Sequence, residues 1–195
     1  MTSKRSIDRA DILDVAAYRS QRKQRRAEMM AVKERRRMAV GPNATLYFES
    51  YATMLYQIQE MLNAEGGGPA QLEDEIAAYD PLVPKGDELV ATFMLEYPDP
   101  VMRARALARL GGIEETVSLV VEGETVPAAW ETEVDRTTAE GKTSALHFLH
   151  FRLGPALADR FRRPGARVMV SVAHPAYGHM AVMPEATRAE LAGDL

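Results

Sequence analysis

The spacing of apolar positions changes along this chain, and each change marks a different kind of element. Residues 8–37 favour helix throughout, with no Gly or Pro to break it and with Ser6 and Asp8 as candidate caps, so the pattern predicts one long helix. Its middle, residues 18–27, has almost no apolar stripe. The face that starts with Ile12 and Ala16 continues through Arg19, Lys23 and Arg26 before Met30, turning from core-like to cationic halfway along. Residues 38–42 read as a short extended segment. Over 47–65, Tyr47, Tyr51, Met54, Leu55, Ile58, Met61 and Leu62 then fall on one helical stripe, with Glu49, Thr53, Tyr56 and Glu60 opposite. Gly66-Gly-Gly-Pro69 stops that helix, and residues 70–79 form a short acidic one ended by Pro81 and Pro84.

Beyond residue 85 the period becomes two. Leu89, Ala91, Phe93, Leu95 and Tyr97 alternate with Val90, Thr92, Met94 and Glu96, the pattern of a strand with one face well buried. A helix is predicted over 99–110. Residues 116–121 and 125–130 flank Glu-Gly-Glu as a hairpin, in which Gly123 supplies positive φ. Two more strands lie at 144–153 and 166–173, separated by a short helix or turn over 155–163, and Pro184 opens a terminal helix. Hairpin-linked strands among helices that do not alternate strictly predict an α+β fold: a mostly antiparallel sheet of about five or six strands with packed helices and a long N-terminal basic helix. The implied division is a basic helical arm over 1–37 and a single α+β domain over 38–195.

Charge sharpens that division. Residues 1–37 hold 12 of the 24 Lys+Arg and 5 of the 28 Asp+Glu, a net +7, which leaves −11 on the remainder and −4 overall. At 195 residues and 46% hydrophobic the chain can bury a sizeable core. No apolar run approaches the roughly 20 residues that cross a bilayer, and the charged N-terminus has no apolar segment behind it, so a cytoplasmic protein without a membrane partner is expected. The absence of cysteine rules out disulfides, thiolate nucleophiles and Cys-ligated zinc or iron–sulfur clusters.

Signature motifs for dinucleotides, nucleotide phosphates or a serine-hydrolase elbow are missing, which leaves ionisable clusters. His147 shares a strand face with Leu149, Phe151 and Leu153, whereas His150 lies with Arg152 on the other, so the two cannot chelate one metal. An imidazole on an apolar face must find a partner, either a structural neighbour or a ligand. His174 and His179 flank a turn and could join His147 in a three-histidine set. Glu49 and Glu60, eleven residues apart, lie on one helical face, and Glu96 ends a strand near a sheet rim. Glu49, Glu60, Glu96 and His147 are thus the candidate ligand-binding residues, against a solvated or structural role for each. No metal set or cofactor is assigned. Arg22, Lys23, Arg25, Arg26, Arg35, Arg36 and Arg37 are candidate partner-binding residues. An acidic whole and an arm without aromatic residues for base stacking place nucleic acid last among their partners.

Whole phrases of the sequence also match a known pattern. Arg35-Arg-Arg-Met-Ala-Val-Gly-Pro42, Phe48-Glu49, Gln57-Ile-Gln-Glu-Met-Leu62, Tyr79-Asp-Pro-Leu-Val-Pro84, Glu88-Leu-Val-Ala-Thr92, Thr143-Ser-Ala-Leu-His-Phe-Leu149 and His174-Pro-Ala-Tyr177 together resemble DUF3501, a bacterial family of uncharacterised proteins, over almost the entire chain. Members of that family are often encoded beside rubrerythrin and iron–sulfur oxidoreductase components. The resemblance therefore implies an accessory role in oxidative stress or iron-linked electron transfer, with no catalytic residues to carry over. The matching phrases include Glu49, Glu60 and His147, and an arginine is usual in the family where this chain has His150.

Three functional readings follow. The first is an accessory protein whose basic arm docks a redox or oxidative-stress partner or a second copy of itself. The second is a small metal- or ligand-binding enzyme that uses His147 with nearby carboxylates. The third is nucleic-acid binding through the basic helix.

Overall fold

A computed structural model describes residues 4–66, 68–130 and 142–195. Among these the chain is α+β, with six α-helices and nine strands in two antiparallel sheets. The larger sheet has the order β1 (Arg37–Ala39), β2 (Ala44–Phe48), β3 (Glu88–Leu95), β7 (Leu146–Arg152), β6 (Ala129–Trp130). The smaller runs β5 (Glu124–Pro127), β4 (Val117–Val121), β8 (Val168–His174), β9 (Tyr177–Val182).

Alternation fixes which side of the larger sheet meets which partner. On one face Leu46, Phe48, Leu89, Ala91, Phe93, Leu149 and Phe151 join Val117, Leu119, Val121, Val168, Val170 and Val172 of the smaller sheet in a single buried cluster. Helices α5 (Gly154–Arg162) and α6 (Glu185–Leu191) add Leu157, Phe161 and Leu191 to it. Each fully buried side chain of this size contributes about 1.5–3 kcal/mol. The opposite face carries Thr45, Tyr47, Val90, Thr92, Met94 and Phe148. Helix α2 (Tyr51–Glu65) covers that face, and a second cluster of Met54, Ile58, Leu62, Leu82, Val83 and Val90 forms there.

The hairpin between β4 and β5 turns on Glu122 (φ 50°) and Gly123 (φ 85°), the paired positive φ of a tight two-residue turn. The segment after it does not stay in one strand. β5 ends at Pro127, buried Ala128 marks the crossing, and Ala129–Trp130 pairs with β7 in the other sheet.

Three elements differ from the pattern-based expectation. The long helix α1 (Val15–Arg35) starts at Asp14, whose carboxylate accepts from Ala16 N and Ala17 N at 3.0 and 2.9 Å, and not at Ser6 or Asp8. Buried Gln59 pairs with the Leu13 peptide through both amide atoms, at 3.0 and 3.2 Å, and this long-range contact accompanies the break in the helix. The helix expected from Tyr47 starts at Tyr51, because Ala44–Phe48 pairs with β1 on one side and β3 on the other. Ser50 then caps α2 in reciprocal hydrogen bonds with Thr53. Finally, the turn expected between His174 and His179 is only two residues long, and β9 follows it as an edge strand.

Helix α1 lies along α2. Tyr18, 1% exposed, donates its hydroxyl to Glu60, and Arg22 grips the same carboxylate through two hydrogen bonds of 2.9 and 2.7 Å. Arg19 reaches Asn63. Arg36 and Met38, on either side of residue 37, are both buried, and Ile7 belongs to the second cluster.

Candidate functional site

Strand alternation and one helix cap build a cavity of about 300 Å³ on the outer face of the larger sheet. Its floor is Tyr47 of β2, Thr92 and Met94 of β3, and Leu146 and Phe148 of β7. Thr53, Met54 and Gln57 of α2 form its roof, Lys33 and Arg36 at the end of α1 stand at one side, and Tyr79 and Leu82 close another. Tyr79 ends α3 (Pro69–Tyr79), the acidic helix that Pro69 opens.

Glu49 is the ionisable group at the centre of that floor. It follows Thr45 and Tyr47 on the same side of the chain, with its backbone N–H still paired to Val90 O at 2.7 Å. Its side chain is 8% exposed, and each oxygen accepts one hydroxyl: Thr53 Oγ1 donates to Oε2 and Thr92 Oγ1 to Oε1, both at 2.6 Å. Those lengths are typical of hydroxyls donating to a charged oxygen. No cationic side chain pairs with this carboxylate among the described residues.

Arg36 could have done so, and is committed elsewhere. Its guanidinium, 3% exposed, donates to Phe48 O at 3.0 Å, to Glu49 O at 2.8 Å and to the Asp194 carboxylate. Burial holds the Asp194 carboxyl above the usual aspartate range, and Arg36 offsets only part of that rise. Lys33 places its ammonium 5.4 Å from the Tyr56 ring centroid.

The other sequence-derived candidates lie apart. Glu96, exposed at the end of β3, accepts from Thr45 Oγ1 at 2.7 Å and Tyr47 Oη at 2.9 Å, which ties it to the rim of the cavity through Tyr47. Glu60 faces α1. It is not on one helical face with Glu49, which lies outside α2 and turns to the sheet. Arg22 holds the Glu60 carboxyl below its ordinary range, against the pull of partial burial. Burial and Glu60 together raise the Tyr18 phenol.

His147 sits on the inner face, against Phe93, with Nε2 3.1 Å from Thr143 Oγ1 and 3.0 Å from Ser144 O, and Nδ1 3.7 Å from the buried Glu114 carboxylate. The sheet itself separates it from Glu49. His174 contacts Gly111 O at 3.3 Å, and His179 packs edge-on against Tyr177. Among the described residues no group of three His, Cys, Asp or Glu side chains is placed to hold a metal ion.

Of the seven arm cations, three pair with carboxylates beyond the arm: half-exposed Arg22 with Glu60, exposed Arg35 with Glu190 at 3.1 Å, and buried Arg36 with Asp194. Arg25 bonds Gln21 on its own helix. Lys23, Arg26 and Arg37 are exposed.

Of the polar residues at this cavity, Glu49 is a candidate from the sequence and Thr53, Thr92 and Tyr47 beside it are not. The available signal was Thr92, a polar residue at the centre of a strand whose alternate face already had Val90 and Met94 to bury.

A model of a protein family described as "Protein of unknown function (DUF3501)" matches residues 6–195. The chain belongs to that family. A crystal structure of a novel protein of unknown function from Burkholderia pseudomallei K96243 is similar over 100% of both chains, with 39% sequence identity and a TM-score of 0.90. That likeness supports the two-sheet fold and carries no activity with it. A search of curated proteins finds no match. No helix among the described residues is long and apolar enough to cross a membrane.

Proposed function

We propose that this protein binds a small organic molecule in the cavity between the larger sheet and α2. The observation that carries the reading is Glu49: a carboxylate 8% exposed, held by two hydroxyls, at the floor of a space otherwise walled by Met54, Leu82, Met94, Leu146 and Phe148. A concave, mostly apolar site with a few convergent polar groups is the usual form of a ligand pocket, and about 300 Å³ is the small end of that class. Methionine-methyl NMR tests it directly, since Met54 and Met94 sit on opposite walls. Small aromatic compounds that enter the cavity shift both methyl signals and raise Tm. A Met94→Trp variant, which fills the space, abolishes both effects. Failure of every compound to move either methyl would overturn the reading.

The exposed cations of α1 favour a second role, docking on an acidic protein surface, as an accessory to a redox partner or by self-association. Lys23, Arg26 and Met30 follow one another at i, i+3 and i+7, and Met30 is 65% exposed. Charge reversal at Lys23 and Arg26 then weakens partner capture or self-association at low salt, and high salt weakens it in the unmodified chain. Equal solution mass and equal recovery of partners under all four conditions would remove this role.

A further inference from the structure

The chemistry of the cavity selects among ligands. Resting on the ligand-binding reading above, we infer that the occupant is a primary amine with an apolar body, its ammonium seated on Glu49 and its hydrocarbon part between Met94, Phe148 and Met54.

Buried carboxylates in folded proteins are paired with cations or fully hydrogen-bonded, because an unpaired charge away from water is costly. Glu49 has about four acceptor positions, and the two threonine hydroxyls fill one on each oxygen. One position per oxygen is left for a donor arriving from the cavity. An ammonium brings three donors and the missing positive charge. Among the described residues, the two cations that line the cavity have other contacts: Arg36 with Asp194 and two backbone carbonyls, Lys33 over Tyr56.

Anions are opposed at this floor by Glu49 and at the rim by Glu96. A neutral alcohol satisfies at most one of the free acceptor positions and leaves the charge uncompensated. The rings of Tyr47, Tyr79 and Phe148 on the walls add faces that attract a cation. The threonines give Glu49 a fixed position without neutralising it, an arrangement suited to receiving charge from outside.

The test uses three compounds of one shape on the full chain: 2-phenylethylamine, 2-phenylethanol and phenylacetate, with binding read from the Met54 and Met94 methyl shifts and by calorimetry. The amine binds at least about tenfold more tightly than the alcohol, the size of one charge-assisted contact, and phenylacetate is weakest. Glu49→Gln removes the preference for the amine while leaving the alcohol within about threefold of its original affinity. Thr92→Val, which keeps the carboxylate but loosens it, weakens the amine by a smaller factor and serves where Glu49→Gln does not fold. Binding of the alcohol equal to or tighter than the amine overturns the inference and leaves the cavity reading standing. Silence from all three compounds overturns both. An amine preference that survives Glu49→Gln also overturns the inference, since the charge would then be recognised elsewhere.

Discussion

Removal of the Arg36 guanidinium is the perturbation with the largest effect expected outside the hydrophobic core. Arg36 joins three parts of the chain that are far apart in sequence: the end of α1, the Phe48 and Glu49 carbonyls where β2 passes into α2, and Asp194 beside the last residue. Arg36→Met keeps much of the volume and deletes every donor, leaving the Asp194 carboxylate, 7% exposed, without its cation. Breaking a buried pair from one side costs about 3–5 kcal/mol, which for a chain of this length lowers Tm by about 6–20 °C. Urea unfolding followed by circular dichroism gives the number.

The sign of the pH dependence follows from Asp194. Burial already raises its folded-state pKa, so the folded chain holds that proton more firmly than the unfolded chain, and its charged form weighs against folding as pH rises above the ordinary value of 3.8. Without Arg36 the carboxyl moves further up. The deficit of the variant is therefore largest at neutral pH and shrinks as the medium is acidified toward 3.8. Arg36→Met/Asp194→Leu, which removes both charges, recovers most of the loss. A single-variant loss under about 1 kcal/mol, or a double variant no better than the single, would refute the assignment of Arg36 as the bolt.

The seam between α1 and α2 predicts opposite slopes at the two ends of the pH scale. Glu60 has a depressed folded pKa, so its contribution is present above its ordinary 4.5 and is lost as pH falls through the folded value; Glu60→Gln flattens the acid limb of stability against pH. Tyr18 has a raised one, so its contribution holds below 10.0 and is lost as pH rises beyond it; Tyr18→Phe flattens the alkaline limb. Tyr177 Oη donates to Val40 O at 2.8 Å and accepts from Asn43 N at 2.9 Å, so Tyr177→Phe costs about 1–3 kcal/mol in urea unfolding by stranding both backbone groups. Gly41 has φ +74°, and a Cβ there would lie 2.5 Å from the His179 ring, so Gly41→Ala costs about 1–2 kcal/mol from the backbone alone, read as a lower Tm.

Periodicity made most elements legible, and where it failed the cause is specific. Tyr47 satisfies two patterns at once, four residues before Tyr51 on a helix and two after Thr45 on a strand. Pairing decides between them, since Met38 opposes Leu46 and Met94 opposes Thr45 across β2, contacts no local window contains. β9 escaped because it is an edge strand with Met180 and Val182 both 58% exposed, so it lacks the buried alternation that marks an interior strand. The arm reads as a separate basic segment because Arg22 and Arg36 look locally like solvent-facing cations. Their acceptors, Glu60 on the α1-facing side of α2 and Asp194 after α6, are remote in sequence. Alternation alone puts His147 on the face of Leu149 and Phe151, and that face lies across the sheet from the cavity.

The placement of Arg36 also bears on Glu49. Its Nη2 already donates to the Glu49 carbonyl at 2.8 Å, so a guanidinium lies against the backbone that carries this carboxylate, and the same Nη2 also donates to Asp194. Neutral threonine hydroxyls hold the Glu49 side chain in its stead. If that division of partners keeps the site open to an external cation, then Asp194→Asn, which nearly preserves size and deletes the competing charge, frees the guanidinium to turn toward Glu49. Amine affinity then falls by about tenfold, since the ligand must displace an internal cation, while affinity for the neutral alcohol is unchanged. Calorimetry on the Asp194→Asn chain decides it. Undiminished amine binding would mean that the guanidinium stays on its two carbonyls whatever stands at the C-terminus, and that the openness of Glu49 is set by the strand geometry of β2 alone.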